Sequence, residues 1–107
     1  MVLVLRIVEG SMSGREWSLT GKTSLGRGNV DIKLDDPKLS AVHASIDKNE
    51  KGQWFIQDQK SRNGVWVNGH REKHRNLQNG DQIQLGDHFF LCQTQKEPPK
   101  GYSKILQ

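Results

Sequence analysis

Polar and apolar residues alternate along most of this chain in short runs, and no window of helical length carries an apolar stripe at i, i+3, i+4 and i+7. Val2 to Val8 is nearly continuous in β-branched and leucine side chains and reads as a buried opening strand. Glu16-Trp17-Ser18-Leu19, Val30-Asp31-Ile32-Lys33-Leu34 and Gln82-Ile83-Gln84-Leu85 alternate with period two, as half-buried strands do. Ala44 to Asp47 and Gln53 to Gln57 read as two strands joined by the polar tip Lys48 to Gly52. Val65-Trp66-Val67 is a very short strand held between Asn63-Gly64 and Asn68-Gly69. Both residues of an Asn-Gly pair tolerate the positive φ of a tight primed turn, so each pair predicts a sharp hairpin. His70 to Gln78 is polar apart from Leu77 and predicts a loop with a short strand, while His88 to Cys92 closes as a last strand. Many short strands about ten residues apart, punctuated by Gly and Asn, describe an all-β sandwich.

The length of 107 residues suits one domain with a single core. No apolar run approaches the roughly 20 residues that cross a bilayer, and Arg6 interrupts the opening run, which is therefore a strand and not a signal segment. Cys92 is the lone cysteine, which excludes an internal disulfide, and there is no N-x-Ser/Thr sequon; both fit a reducing interior compartment. The net charge of +4 favours an acidic partner. From Gln93 the chain turns polar and carries Pro98-Pro99 and Gly101. Residues 1–93 are thus expected to form the domain, and 94–107 a linker or tail leading to the rest of a larger protein.

Several motifs imitate catalytic or cofactor sites and fail on their chemistry. Thr20-Gly21-Lys22-Thr23 ends like a phosphate-binding P-loop, but Glu16 stands where the loop needs glycine, and a strand follows instead of a helix. Gly26-Arg27-Gly28 lacks the third glycine of a dinucleotide fingerprint, since Asp31 occupies that place. His70 and His74 are spaced as in a zinc-protease helix, but Glu72 is one place late and no third ligand is evident. Ser40 and His43 have no orienting carboxylate in the sequence, so no nucleophile–base–orienter set can be assembled. No cofactor, metal or catalytic residue is expected.

An anion site remains. The run Lys60-Ser61-Arg62-Asn63 puts two cations and two neutral hydrogen-bonding groups at a loop tip. Arg27 offers a planar fork of donors for a phosphate, and Ser40 adds a hydroxyl and a backbone N–H. Asn63 carries both a donor and an acceptor, as reading the backbone of an extended peptide requires.

In order, Gly26-Arg27, Ser40-x-x-His43, Trp54-Phe55-Ile56-x-Asp58, Ser61-x-Asn63-Gly64 and Val67-Asn68-Gly69 closely resemble the forkhead-associated (FHA) domain, over residues 2–93. The resemblance implies a sandwich of about eleven strands in two sheets, with loops at one end that bind phosphothreonine peptides. It implies Arg27 and Ser40 as phosphate ligands, Asn63 as the contact to peptide backbone, and Arg62 at a variable position that also approaches the phosphate. Lys60 and Ser61 belong to the same phosphopeptide-binding loop. Gly26, His43 and Gly64 brace the loops. Two positions depart from the family: Ala41 replaces a frequent phosphate donor, for which Arg62 could compensate, and Val65 replaces a frequent Thr, which in a buried strand changes packing.

The expected function is therefore phosphothreonine-dependent peptide binding without catalysis, in nuclear signalling such as a DNA-damage response or ubiquitin-ligase recruitment, with the cytoplasm as the other location. Lys60, Arg71, Lys73 and Arg75 predict acidic residues flanking the phosphothreonine. A monomer is expected. The alternatives are an FHA domain used mainly for dimerisation and a nucleic-acid binder built on Arg71, Lys73, His74 and Arg75. The second lacks a row of exposed aromatics on which bases could stack.

Overall fold

Leu3, Leu5 and Ile7 lie on one face of the first strand, β1 (Val2–Glu9), and are fully buried, whereas Arg6 and Val8 are exposed. The opening run thus alternates. Val4 is buried too but stands outside the core cluster, on the opposite face of the sheet. In the computed structural model, which describes residues 1–96, eleven strands form two sheets and no helix occurs among those residues. One sheet runs β2 (Glu16–Leu19), β1, β11 (His88–Gln95), β10 (Gln82–Leu85), β7 (Val65–Val67) and β8 (His70–Glu72). The other runs β4 (Ile32–Lys33), β3 (Thr23–Gly26), β5 (Ala44–Lys48), β6 (Trp54–Asp58) and β9 (His74–Asn76). Every pairing is antiparallel except β3 with β4.

The period-two pattern explains how the sheets face each other. Ile83 and Leu85 of β10, with Phe90 and Cys92 of β11, join Leu3, Leu5 and Ile7 from one side. Leu25, Ala44, Ile46, Trp54 and Ile56 meet them from the other. Trp54, the largest fully buried side chain, donates its indole N–H to the Met1 carbonyl at 3.2 Å, so its polar atom is satisfied at the edge of the core. Val65 is wholly buried, so the valine found where the family frequently has Thr packs into the core.

Four local expectations change. Val30 to Leu34 alternates, but only Ile32 and Lys33 pair as a strand, because Asp31 folds back onto Ser24. Its carboxylate accepts the Ser24 N–H at 2.9 Å and hydroxyl at 3.0 Å. His70 to Gln78 holds two strands, β8 and β9, one at the edge of each sheet. An edge strand needs only one buried neighbour, and a charged exposed edge discourages unwanted pairing, so polar residues are no obstacle there. Asn68-Gly69 is a two-residue hairpin turn, with φ of 51° and 84°, joining Val67 to its partner His70. Asn63-Gly64 is not a hairpin: β6 and β7 belong to different sheets, so the chain there crosses the sandwich, and only Gly64 of the pair has positive φ. Lastly, β11 runs on to Gln95, which pairs with Val2, so strand pairing continues past residue 93. Residues 97–107 of the expected tail lie outside those described.

Candidate functional site

Three crossing loops meet at one end of the sandwich: the one after β3, the one before β5, and the one between β6 and β7. Backbone hydrogen bonds zip the first two together. The Arg27 N–H donates to the Ser40 carbonyl and the Gly28 N–H to the Ala41 carbonyl, each at 3.0 Å, and the His43 N–H donates to the Leu25 carbonyl at 2.9 Å. Gly26 permits this approach. A Cβ there would stand 2.9 Å from both the Ser40 oxygen and the His43 nitrogen, closer than carbon tolerates.

His43 joins the third loop to the other two. Its ring is fully buried. Nδ1 accepts the Ser40 N–H at 3.1 Å, which leaves the ring proton on Nε2, facing the Gly64 carbonyl at 2.8 Å. Ser40 Oγ accepts the Arg62 N–H at 3.2 Å, and its own hydrogen is not engaged among the described residues. Ser61 closes the turn: its N–H donates to Asp58 at 3.0 Å and its buried Oγ accepts the Gly64 N–H at 3.0 Å. These contacts leave Arg27 and Arg62 exposed on adjoining loops, with no carboxylate partner among the described residues. The arrangement offers two guanidinium groups and a hydroxyl to an anion.

Asn63 forms the next edge of the site. It donates its side-chain N–H to the Lys38 carbonyl at 2.7 Å, and its own carbonyl accepts the Trp66 indole N–H at 3.1 Å. Asn63 also lines a cleft of about 350 Å³ with Lys38, Trp66, Gln84, Gly86 and Asp87. Such a groove beside an anion site can hold an extended chain. Lys38 is paired with Asp87 at 2.8 Å, and that hydrogen-bonded carboxylate raises the lysine pKa.

Beneath this rim lies Asp36, which is 3% exposed. It accepts the Lys38 and Asp87 N–H groups, each at 2.9 Å, and contacts His88 Nδ1 at 3.2 Å. Burial pushes the Asp36 carboxyl up, but these hydrogen bonds and the His88 ring outweigh it and hold the pKa below the usual value. Asp36 therefore fastens the Lys38 loop to the turn between β10 and β11.

The sequence-predicted residues divide. Arg27, Ser40, Arg62 and Asn63 come together at the loop end, with Gly26, His43 and Gly64 as their braces and Ser61 inside the turn. Lys60 does not join them. Held at a φ of 54°, it lines a separate cleft of about 350 Å³ with Gln57, Asp58, Lys73 and His74. Arg71 moves the other way. Opposite Trp66 on β8, its guanidinium packs on Gly64 so closely that a Cβ there would lie 2.9 Å from Cζ. The loop reading of that segment hid this contact, since nothing local in the sequence places Arg71 beside Asn63.

Ser11, His88 and Asp36 do align, with His88 Nε2 3.5 Å from Ser11 Oγ, although no such set could be assembled from the sequence. Asp36 is occupied by loop N–H groups, His88 is buried, and Ser11 lines neither cleft. The set is a structural brace. Among the described residues no group of three or more His, Cys, Asp or Glu is placed to hold a metal ion. The basic residues proposed to meet nucleic acid are dispersed: Arg75 pairs with Glu72 at 2.9 Å, and His74 stacks on Phe55 with centroids 4.8 Å apart.

The family model of the FHA domain matches residues 23–86. Among curated proteins, the chain is 37% identical over 82 residues to the E3 ubiquitin-protein ligase RNF8 of Bos taurus, covering 66% of this chain and 17% of the ligase. The chain thus matches only a small part of that relative's length. A structure from a structural and functional analysis of phosphothreonine-dependent FHA domain interactions superposes with a TM-score of 0.80 at 27% identity, covering 91% of this chain and all of that one. Mycobacterium tuberculosis EmbR, solved in complex with a low affinity phosphopeptide, superposes with a TM-score of 0.79 at 33% identity, covering 91% of this chain and 25% of EmbR.

Proposed function

The chain belongs to the FHA domain family, and on that premise we propose that it binds phosphothreonine peptides through the loops that carry Arg27, Ser40, Arg62 and Asn63. The observation that carries the reading is the pair of guanidinium groups, without a carboxylate partner among the described residues, on loops that also carry the Ser40 hydroxyl, whose hydrogen is unengaged among those residues. Three loops hold them together, and their backbone contacts are already satisfied without ligand. Such preorganisation lowers the cost of binding, because the loops need not be ordered by the peptide. The phosphate meets Arg27 and the Ser40 hydroxyl, with Arg62 supplying charge where Ala41 offers none. Asn63, fixed by Lys38 and Trp66, reads the peptide backbone with its remaining amide atoms. The structures likened above that concern phosphothreonine and phosphopeptide binding support this reading.

Within it, the domain acts as a monomeric recognition module that brings a phosphorylated protein to whatever it is joined to. The nuclear location is part of this proposal; the likeness to a ubiquitin ligase supports a place in ubiquitin signalling, and the likeness to bacterial EmbR shows that the fold also serves elsewhere. Calorimetry with matched peptides tests the central claim. A phosphothreonine peptide should bind with a Kd of about micromolar, near 8 kcal/mol, and the plain threonine peptide should not. Equal binding of the two would refute the function proposed.

A further inference from the structure

We propose that the cleft holding Lys60 and Lys73 is a second anion subsite, which takes a second phosphoryl group on the same phosphothreonine peptide. The inference rests on the peptide-binding reading above and extends it to doubly phosphorylated partners. The cleft measures about 350 Å³ and is lined by Gln57, Asp58, Lys60, Lys73 and His74, none of which lines the cleft beside Asn63. Both lysines are exposed, and neither ammonium group has an ion-pair partner among the described residues. The backbone fixes them as neighbours. The Asp58 N–H donates to the Lys73 carbonyl at 2.8 Å, and Asp58 Oδ1 is occupied by the Ser61 N–H. Two lysines therefore share the lining of one cleft with a single carboxylate, one oxygen of which is engaged.

Two further features favour a ligand over a solvated surface. Lys60 stands in the left-handed region at a φ of 54°, where a side chain with a Cβ is unusual, and it lines this cleft while Arg62, the loop's other cation, does not. His74, whose ring stacks on Phe55, lines the cleft and can donate a hydrogen bond to an anion. The subsite is also within reach of the first. Lys60 is two residues from Arg62, whose N–H bonds Ser40 Oγ, so their Cα atoms lie within about 7.6 Å. A peptide advancing about 3.3 Å per residue would present a second phosphate there about two to five residues from the first.

The test uses a phosphothreonine peptide and a series with a second phosphate placed about two to five residues to either side. Each is titrated calorimetrically into the wild type, the Lys60→Ala/Lys73→Ala variant and Arg27→Ala. One spacing should tighten binding about five- to tenfold, as an added charge-assisted contact within the same complex does. The double variant should lose that gain and still bind the singly phosphorylated peptide normally, while Arg27→Ala should lose both peptides. If the single phosphate binds but no second phosphate helps, or if the gain survives in the double variant, the subsite is refuted and the primary reading stands. If the singly phosphorylated peptide itself fails to bind, both fall together. A parallel titration with inorganic phosphate separates the sources. Shifts in the Lys60 and Lys73 amide signals, without a gain for any doubly phosphorylated peptide, would mark a site for free anions and overturn the proposal.

Discussion

His43 holds Gly64 through a buried 2.8 Å contact from Nε2 to the carbonyl, and it does so twenty-one residues away along the chain. With Nδ1 accepting the Ser40 N–H, this one ring positions two loops that carry proposed phosphate ligands while touching none of the exposed surface. Arg27, by contrast, is exposed and holds the loops only through its backbone. The two should therefore fail differently. Arg27→Ala should weaken phosphopeptide binding by about 2–3 kcal/mol and leave the melting temperature nearly unchanged. His43→Ala should cost about 2–4 kcal/mol of stability, from a cavity plus two unpaired backbone groups. Paired melts and titrations read the division, and an Arg27→Ala protein that melts early yet binds normally would contradict it.

Gly26→Ala is the smallest change that should open the site. The added methyl would press on three backbone atoms of the neighbouring loop, the Ala41 and Ser40 carbonyl oxygens and the His43 nitrogen, none of which can rotate aside. Stability should fall by about 1–3 kcal/mol, as overpacking does, and peptide affinity should fall with it. Amide hydrogen exchange should speed up at Arg27 and Gly28, whose N–H groups form the zipper.

Asp36 gives the domain an acid-sensitive rim. Its pKa in the folded state lies below the ordinary value of 3.8, so its contribution to stability is present above that value and is lost as pH falls through the folded pKa. Asp36→Asn should destabilise the protein by about 1–3 kcal/mol near neutrality, because an amide nitrogen would face N–H donors. Denaturant melts of the two proteins should converge as the pH drops below 3.8. A stability gap that is constant with pH would show that the carboxylate charge is irrelevant.

Flanking acidic residues should improve binding through Arg71 more than through Lys38. Lys38 already carries its own carboxylate, Asp87, whereas the Arg71 guanidinium lies against Gly64 with no ion-pair partner among the described residues. A peptide library should select Asp or Glu near the phosphothreonine. The preference should weaken in Arg71→Ala and should fade between low and high salt, since exposed charges are screened over about 8–10 Å. Selection of basic flanks, or a preference indifferent to salt, would count against it.

How far the sequence revealed these features depended on the range of the interaction. Alternation gave the strands and their inward faces because burial on one face of a sheet imposes period two on every residue of a strand. The family spacings imply one site for Arg27, Ser40, His43 and Asn63, and these residues lie on meeting loops. Three features were invisible for a common reason. Asp36 meets Asp87 and His88 some fifty residues on, Lys38 contributes a carbonyl that every residue possesses, and Arg71 reaches Gly64 through strand pairing. None leaves a local signature. Asn63-Gly64 misled because the dipeptide reports a tolerance for turning, while sheet membership decides whether the turn closes a hairpin.

The pairing of Val2 with Gln95 settles where this domain can be held. Both ends of the strand-paired chain leave side by side, next to Met1 and Trp54, while the turn between β10 and β11 and the three loops that gather the guanidinium groups stand at the far pole. A tag, a surface linkage or a neighbouring domain attached at either end would share one anchoring point and leave the opposite pole open. The domain can be grafted into the middle of another protein as readily as onto its end, because its entry and exit strands already lie hydrogen-bonded together.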